Sequence, residues 1–426
     1  MLRRLGDTAA LPASGLEFNP PAHGTWNIVH IGMLVPQAHQ IYVCAVNCMR
    51  GVVLTAAEMG ARERFSCVVL KEEDILRGTV EEVTLRGISD ALKKLPALPP
   101  CVIVFPVCTH HFLGVDMARV YRALENEFPT VDFVRAFMDP IFRKRLPPDQ
   151  RLRKVMYDPL PACEPDGRTV CLMGSDYALE QDSDLRVLLA SGGYTLADIQ
   201  SCGDYAAYKA LARAGTIVSV HPGGRYGAEK TAQRLGRRHL YLPMSFAYDE
   251  IAAQERTLCQ ALDIPEPSFS DEIGKCDAAL SEALSVIGAA PIAVDVSAHP
   301  RPLGLARLLI EHGFRVTEVY ADAVGDGEDA AFSWLLGNAP ELLISPTVSA
   351  DMRVRPRVRT EKTLAVGQKA AWFTGTPYFV NLVQGGGLWG FSGVRRMALL
   401  MKEAFLTEKD TRDIIPRKGA GCESCI

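Results

Sequence analysis

The stretch Ile41-Tyr42-Val43-Cys44-Ala45-Val46-Asn47-Cys48-Met49-Arg50-Gly51 closes an apolar segment with two cysteines four positions apart, beside an arginine and a glycine. From Cys44 to Gly60 the chain reads as a turn and then a helix, because Val52, Val53, Ala56, Ala57 and Gly60 recur at helical spacing. A second run, Val104-Phe105-Pro106-Val107-Cys108-Thr109-His110-His111, starts as a buried strand and ends in a polar turn. Thiolates gathered from separate segments at strand and helix ends suit an iron–sulfur cluster, since soft sulfur ligands select iron–sulfur and zinc. Buried free cysteines are also common in intracellular cores, so both readings stand at this point.

Outward from these runs, strands and helices alternate. Residues 65–70 form a short strand that includes Cys67, residues 71–78 a polar loop, and residues 80–94 an amphipathic helix. Residues 101–107 form an all-apolar strand, as a parallel sheet covered on both faces requires, and 114–127 the next helix. The pattern returns with strands at 169–174, 215–220 and 239–242, and helices at 184–191, through 235 and at 250–262. A third round has strands at 291–296, 314–320 and 342–345 with a helix at 303–312. Strands alternating with helices imply parallel βαβ units. The expected fold class is α/β, with three successive Rossmann-like, doubly wound domains and mainly parallel sheets. The boundaries fall at 1–165 (with an irregular N-terminal arm), 166–290 and 291–410, followed by a tail at 411–426. Ligands of such sheets sit at the carboxyl ends of strands, where Cys108, Gly174, His221, Ser297 and Pro346 lie.

The 426 residues are 48% hydrophobic and 23% charged, with a formal net charge of −4, which gives no global basic signal for nucleic acid. Arg353, Arg355, Arg357, Arg359 and Lys362 form a local basic cluster, read either as a solvated ribbon or as an anion site. No apolar run reaches the length of a membrane span. The N-terminal Met1-Leu2-Arg3-Arg4 is not followed by an apolar core, so it is not a secretory signal, and a cytoplasmic location is expected. Twelve cysteines in a long chain of a reducing compartment do not suggest a disulfide framework. Cys67, Cys171, Cys259 and Cys276 read as packing residues. Cys101 starts the strand that Cys108 follows, too far along it to share a cluster. His110 and His111 read as a helix start near the surface or as a proton donor beside a cluster. Cys422-Glu423-Ser424-Cys425 suits metal capture or thiol redox, or is an inert tail.

No G-x-G-x-x-G opens a helix after a strand, and no G-x-x-x-x-G-K-[ST] exists. The nearest approach is Gly223-Gly224-Arg225-Tyr226-Gly227, either a turn where backbones pass closely or an anion-binding loop. The chain therefore carries neither a P-loop nor a dinucleotide fingerprint.

Taken in order, these segments resemble component 1 of nitrogenase and its relatives over residues 20–408. That family includes the α and β subunits, their cofactor-assembly paralogues, the dark-operative protochlorophyllide reductase and the nickel-tetrapyrrole reductases. Tyr42-Val43-Cys44-Ala45-Val46-Asn47-Cys48 stands where the family has Y-V-H-G-x-x-G-C, and Cys48 fits its cysteine. Glu72-Glu73-Asp74-Ile75-Leu76-Arg77-Gly78 matches an acidic E-x-D-I-V-F-G-G segment. The strand ending in Cys108 matches a second ligand cysteine, with Gly114-Val115-Asp116 at the helix start beyond it. Gly385-Gly386-Gly387-Leu388-Trp389-Gly390-Phe391-Ser392-Gly393 matches a glycine- and aromatic-rich loop before the last helix. Two departures stand out. His23 occupies the place of the family's first cluster cysteine, so either His23 or Cys44 takes that role. The second-domain strand that carries the large cofactor's cysteine ends here at His221, and the cofactor histidine is replaced near Gln384 and Gly385.

The resemblance implies three Rossmann-like domains and a [4Fe–4S] cluster ligated by Cys44, Cys48 and Cys108, with His23 as a further candidate. It also implies a homo- or heterodimer joined through the first domain, and electrons delivered by a separate nitrogenase-reductase-like ATPase. The substrate implied is an unsaturated small molecule such as a tetrapyrrole; the alternative is a non-catalytic scaffold for cluster or cofactor assembly. In the doubly wound fold His221, Arg225, Arg301 and Arg353 occupy comparable loops; the arginines either cap helices and face solvent or build a cationic cleft that would favour a carboxylate-bearing substrate.

Overall fold

The apolar runs become the central strands of three separate sheets. The computed structural model describes residues 3–5, 27–138, 146–357 and 361–410. The strands in chain order are β1 (Arg3–Arg4), β2 (Ala38–Cys44), β3 (Phe65–Val69), β4 (Cys101–Pro106), β5 (Asp132–Arg135), β6 (Asp166–Leu172) and β7 (Thr195–Asp198). They continue as β8 (Ala214–Ser219), β9 (Arg238–Tyr241), β10 (Ile292–Asp295), β11 (Val316–Tyr320), β12 (Leu343–Ser345), β13 (Leu364–Val366) and β14 (Phe379–Val380). The first sheet runs β3-β2-β4-β5, the second β7-β6-β8-β9 and the third β1-β12-β11-β10-β13-β14. Every pairing is parallel except that of β1 with β12, so the expected α/β class of Rossmann-like, doubly wound sheets holds.

Each sheet reverses its winding once. From β2 the chain goes out to β3 and returns across to β4; β6, β7 and β8 do the same, and β10 to β12 precede β13 on the other side. A crevice opens at the carboxyl ends of the strands wherever the winding reverses. These three crevices are what the site is built from.

Alternation in β2 and β4 sends residues to two cores. Ile41, Val43, Val102 and Val104 face the helices Val80–Lys93 and Met117–Glu127. Tyr42, Cys44, Ile103 and Phe105 face a core shared with the second sheet and the helices Pro148–Val155 and Pro222–Leu235. The Tyr42 and Phe105 rings stack 4.4 Å apart at this seam, an arrangement worth about 0.5–1.5 kcal/mol beyond burial. The first two sheets therefore hold each other through one continuous apolar layer.

Three local expectations change. Residues 71–78 are not a plain loop: Glu72–Leu76 is a short helix, and the Asp74 carboxylate accepts from the Lys71 amide at 2.8 Å. The helix Phe269–Ile287 falls before the expected boundary at 290, yet it buries Cys276, Leu280, Ala283 and Ile287 in the third core, against the helix Gly390–Leu406. Arg3–Arg4 is not an irregular arm of the first domain. It pairs with β12 of the third sheet, and Leu5 is buried there with its amide bonded to Leu342 O at 2.8 Å.

The helices Asp184–Ser191, Tyr248–Leu262 and Gly390–Leu406 meet at a buried carboxyl pair. Asp184 accepts from the Ser392 amide at 2.8 Å, and Arg395 lies 3.5 Å from it while bonding Glu272 at 2.5 Å. Burial first, and then the Asp184 charge, push the Glu255 carboxyl well above its usual range. A raised acid contributes stability that is fully present below the ordinary carboxyl range and is lost as pH climbs toward the raised value. Glu255→Gln, which mimics the protonated acid, should match the parent in urea midpoint near pH 5. Near pH 8 it should exceed the parent, by at most about 1.4 kcal/mol per pH unit of the upshift. Equal differences at both pH values would show that Glu255 is not protonated in the fold.

Candidate functional site

The three crevices open onto one cavity of about 750 Å³. Cys48 and Cys108 reach it from the first sheet, His221 from the second, and Val296, Pro300 and Gln384 from the third. The two thiols arrive there for the same reason. Each stands just past the carboxyl end of an inner strand, at the start of a helix: Cys48 in the first turn of Val46–Glu58, Cys108 as the first residue of Cys108–Phe112. Cys48 is exposed and Cys108 half-buried, so both sulfurs are accessible from the cavity.

Cys44 stands apart from them. It ends β2 with its side chain fully buried in the shared core, and it does not line the cavity. Burial first, then the neighbouring Cys48 and Cys67 thiols, push its own thiol up to about 12. His23 and the Cys422/Cys425 pair lie outside the described residues. Among the described residues no group of three or more His, Cys, Asp or Glu is placed to hold a metal ion. The donor set on the cavity wall therefore fits an iron–sulfur cluster only in part: Cys48 and Cys108 would supply two thiolates.

His221 caps the helix Pro222–Leu235, its Nδ1 accepting from the Gly223 amide at 3.0 Å. Burial, reinforced by the nearby Arg153 and opposed by Asp176, lowers its pKa to about 4, so it is neutral at physiological pH. The Gly223-Gly224 turn is a close backbone passage and not an anion loop. A Cβ on Gly224 would stand 2.5 Å from Gly174 O, and the Gly223 amide is already taken by His221. Under His221, Arg153 and Asp176 form a fully buried pair at 2.8 Å through Nη2 and Oδ2.

None of the three arginines expected in a cationic cleft lines the cavity. Arg225 packs over the Tyr241 ring at 4.5 Å, 4.0 Å from Asp326. Arg301 is buried, drawn back by Glu250 at 2.7 Å and by Asp326 O at 3.1 Å, and faces a smaller cavity of about 240 Å³. Arg353 is exposed. In the same basic cluster Arg355 pairs with buried Glu318 at 2.7 Å, and Arg357 stacks on Trp372 at 4.1 Å. The cluster is thus partly structural; Arg359 lies outside the described residues.

His110 is not a proton donor at the site. It is buried against Thr84, Nε2 to Oγ1 at 3.0 Å, and burial lowers its pKa to about 4. Cys67 is exposed on the edge strand β3, whereas Cys171, Cys259 and Cys276 are buried as expected. Two polar wall residues escaped the sequence reading. Asn27 caps the helix Ile28–Met33, its Oδ1 accepting from Val29 at 2.9 Å, and Asp149 opens the helix Pro148–Val155. Asn at a cap and Pro-Asp at a helix start are legible signals, but only the fold shows that both point to the cavity.

No family model matches the chain, and no curated protein matches it in sequence. Solved structures do match its fold. A structure of nitrogenase Cp1 at pH 6.5 is similar with a TM-score of 0.65 and 12% identity, over 93% of this chain and 94% of that one. A second, of nitrogenase Cp1 at pH 5, gives 0.57 and 12% over 93% and 89%. The likeness spans all three sheets, and the chain has the fold of nitrogenase Cp1.

Proposed function

We propose that the chain is a nitrogenase-like redox component. It would hold an iron–sulfur cluster of the [4Fe–4S] type on Cys48 and Cys108 and accept electrons from an ATP-dependent iron–sulfur reductase. With them it would reduce an unsaturated small molecule bound in the cavity. The observation that carries this reading is the meeting of Cys48, Cys108 and His221 on one cavity where the winding of all three sheets reverses. A bound cluster supplies one-electron transfer. The chain's own residues supply two thiolates, an apolar wall and a neutral imidazole. Electron supply from a separate ATPase fits the lack of any P-loop in the sequence. The test is to mix anaerobically prepared protein with the nitrogenase-type reductase of the same organism. Reduction of the cluster only when ATP is present supports the proposal; no reduction by a reductase active on its own would refute it.

Two thiols do not complete a cluster, and a second chain is the source of further ligands that the resemblance implies. The helices that carry the thiols expose large apolar side chains: Val46 at 65%, Val53 and Leu54 on one, Phe112 at 72% on the other. Exposed apolar surface of this kind marks association faces. Phe112→Asp together with Val53→Asp should shift the protein from dimer to monomer in light scattering, with far-UV circular dichroism unchanged. A parent protein that is monomeric with full iron would remove the dimer from the account.

The small thiol count also favours a second reading, a scaffold that releases a nascent cluster. An enzyme turns over substrate many times with reductase and ATP. A scaffold loses its cluster once, to a recipient protein.

A further inference from the structure

We infer that the smaller cavity, of about 240 Å³, binds a free amino acid with an apolar side chain, its carboxylate held by Arg301 and its ammonium by Asp249. The larger cavity of the proposed function is not involved. The smaller one lies at a seam between two cores. The helix Tyr248–Leu262 puts Ile251 into the third core and Leu258 into a core of the second sheet. Its first turn lines the cavity together with the first turns of two third-domain helices, Pro302–Glu311 and Asp329–Asn338. Ligand sites favour such junctions.

Most charged groups of this wall are satisfied within the protein. Glu328 accepts from the Leu303 and Gly304 amides at 2.7 and 3.0 Å and from the Gly325 amide at 3.2 Å. Arg307 pairs with Glu311 at 2.9 Å, and His312 sits between Leu308 O and Asp277. Glu250 is divided between Arg301 Nη1 at 2.7 Å and the Ser245 hydroxyl. Two charged groups are left open. Arg301 spends Nη1 on Glu250 and Nε on Asp326 O, while its Nη2 has no hydrogen-bond partner among the described residues, in a side chain only 6% exposed. Gly327, at positive φ, keeps space there, since a Cβ on it would overlap Nη2. Asp249 makes no hydrogen bond or ion pair among the described residues.

The two open groups have opposite charge, and this selects the ligand. A simple anion would gain Arg301 but meet Asp249, Glu250 and Glu311 on the same wall. A simple cation would gain Asp249 but meet Arg301 and Arg307. A zwitterion satisfies both, and a guanidinium with an unused nitrogen suits a carboxylate. Glu250 follows Asp249 in the chain and touches Arg301, so the open groups stand on either side of one carboxylate. A ligand whose own charges are close together spans them. Phe246, Leu308 and Ala331 supply an apolar wall for its side chain. The volume equals that of about eight waters, room for an amino acid the size of leucine.

The test is calorimetric titration of full-length, anaerobically prepared protein with L-leucine, 4-methylpentanoate and 3-methylbutylamine, the last two each lacking one charge. Leucine should bind at least about tenfold tighter than either half-molecule, as loss of one charge-assisted hydrogen bond predicts. Asp249→Asn, on an exposed helix turn, should weaken leucine about tenfold and spare 4-methylpentanoate. Arg301→Gln should weaken leucine and 4-methylpentanoate and spare the amine. If that buried variant does not fold, as read by far-UV circular dichroism, Asp249→Asn decides alone. Equal affinity for leucine and either half-molecule, leucine binding unchanged in Asp249→Asn, or no leucine binding at millimolar concentration would overturn the inference. Iron per chain is read in the same samples. Leucine affinity should not depend on it, so failure here leaves the cluster proposal standing, and leucine binding without iron leaves this site standing.

Discussion

Alanine at Cys48, or at Cys108, is expected to remove most of the iron that anaerobically prepared protein carries. Each substitution deletes one of two thiols that the fold delivers to the cavity from the first sheet. An iron–sulfur cluster holds its iron through deprotonated sulfur ligands, and a vacated position is not filled by an apolar wall. Cys44 is a poor substitute, because its thiol lies in the core beside Tyr42 and is held protonated by burial. Cys44→Ala should therefore keep its iron and lose only a little packing; iron loss there would assign Cys44 a ligand role. The measurement is iron per chain together with visible absorbance. Full iron in both the Cys48 and the Cys108 variants would contradict the ligand assignment.

Arg153→Met is expected to destabilise the protein by about 3–5 kcal/mol, read from urea midpoints. Arg153 and Asp176 are both buried, and removing the guanidinium leaves a carboxylate in a low-dielectric seam between the first two sheets. Ion pairs of this kind offset their desolvation only in part, and here Arg153 Nε has no partner. The double variant Arg153→Met/Asp176→Leu should thus recover most of the loss. A single variant that costs under about 1 kcal/mol, or a double variant no better than the single, would show that the charge is not the issue. The Arg153 charge also helps to keep His221 neutral, so the single variant should move the His221 pKa up toward its ordinary value.

Those parts of the site that depend on short stretches of chain were readable in advance. An all-apolar strand followed by Cys108 places that thiol at a strand carboxyl end without further information, whereas the segment before Cys48 reads only as apolar and becomes the inner strand β2 in the fold. His221 was legible for the same reason. What long-range partners decide was not. Arg301 was expected in the cleft, but Glu250, fifty-one positions away, draws it to another seam. His110 stands two positions after Cys108, yet Thr84 of another helix turns it into the interior. Helix Phe269–Ile287 shows an apolar face in sequence, but nothing in that face says which sheet it covers. Strand β14 has two residues, too few for any periodicity to register.

The central claim is that Cys48 and Cys108 are ligands of one iron–sulfur cluster in the cavity between the three sheets. The most direct measurement is an anomalous difference map, recorded at the iron edge, from crystals of anaerobically prepared protein. The account predicts a strong peak bonded to Cys48 Sγ and Cys108 Sγ, at the mouth of the cavity that His221 lines. Iron bound elsewhere in the chain, with no peak at either sulfur, would contradict it.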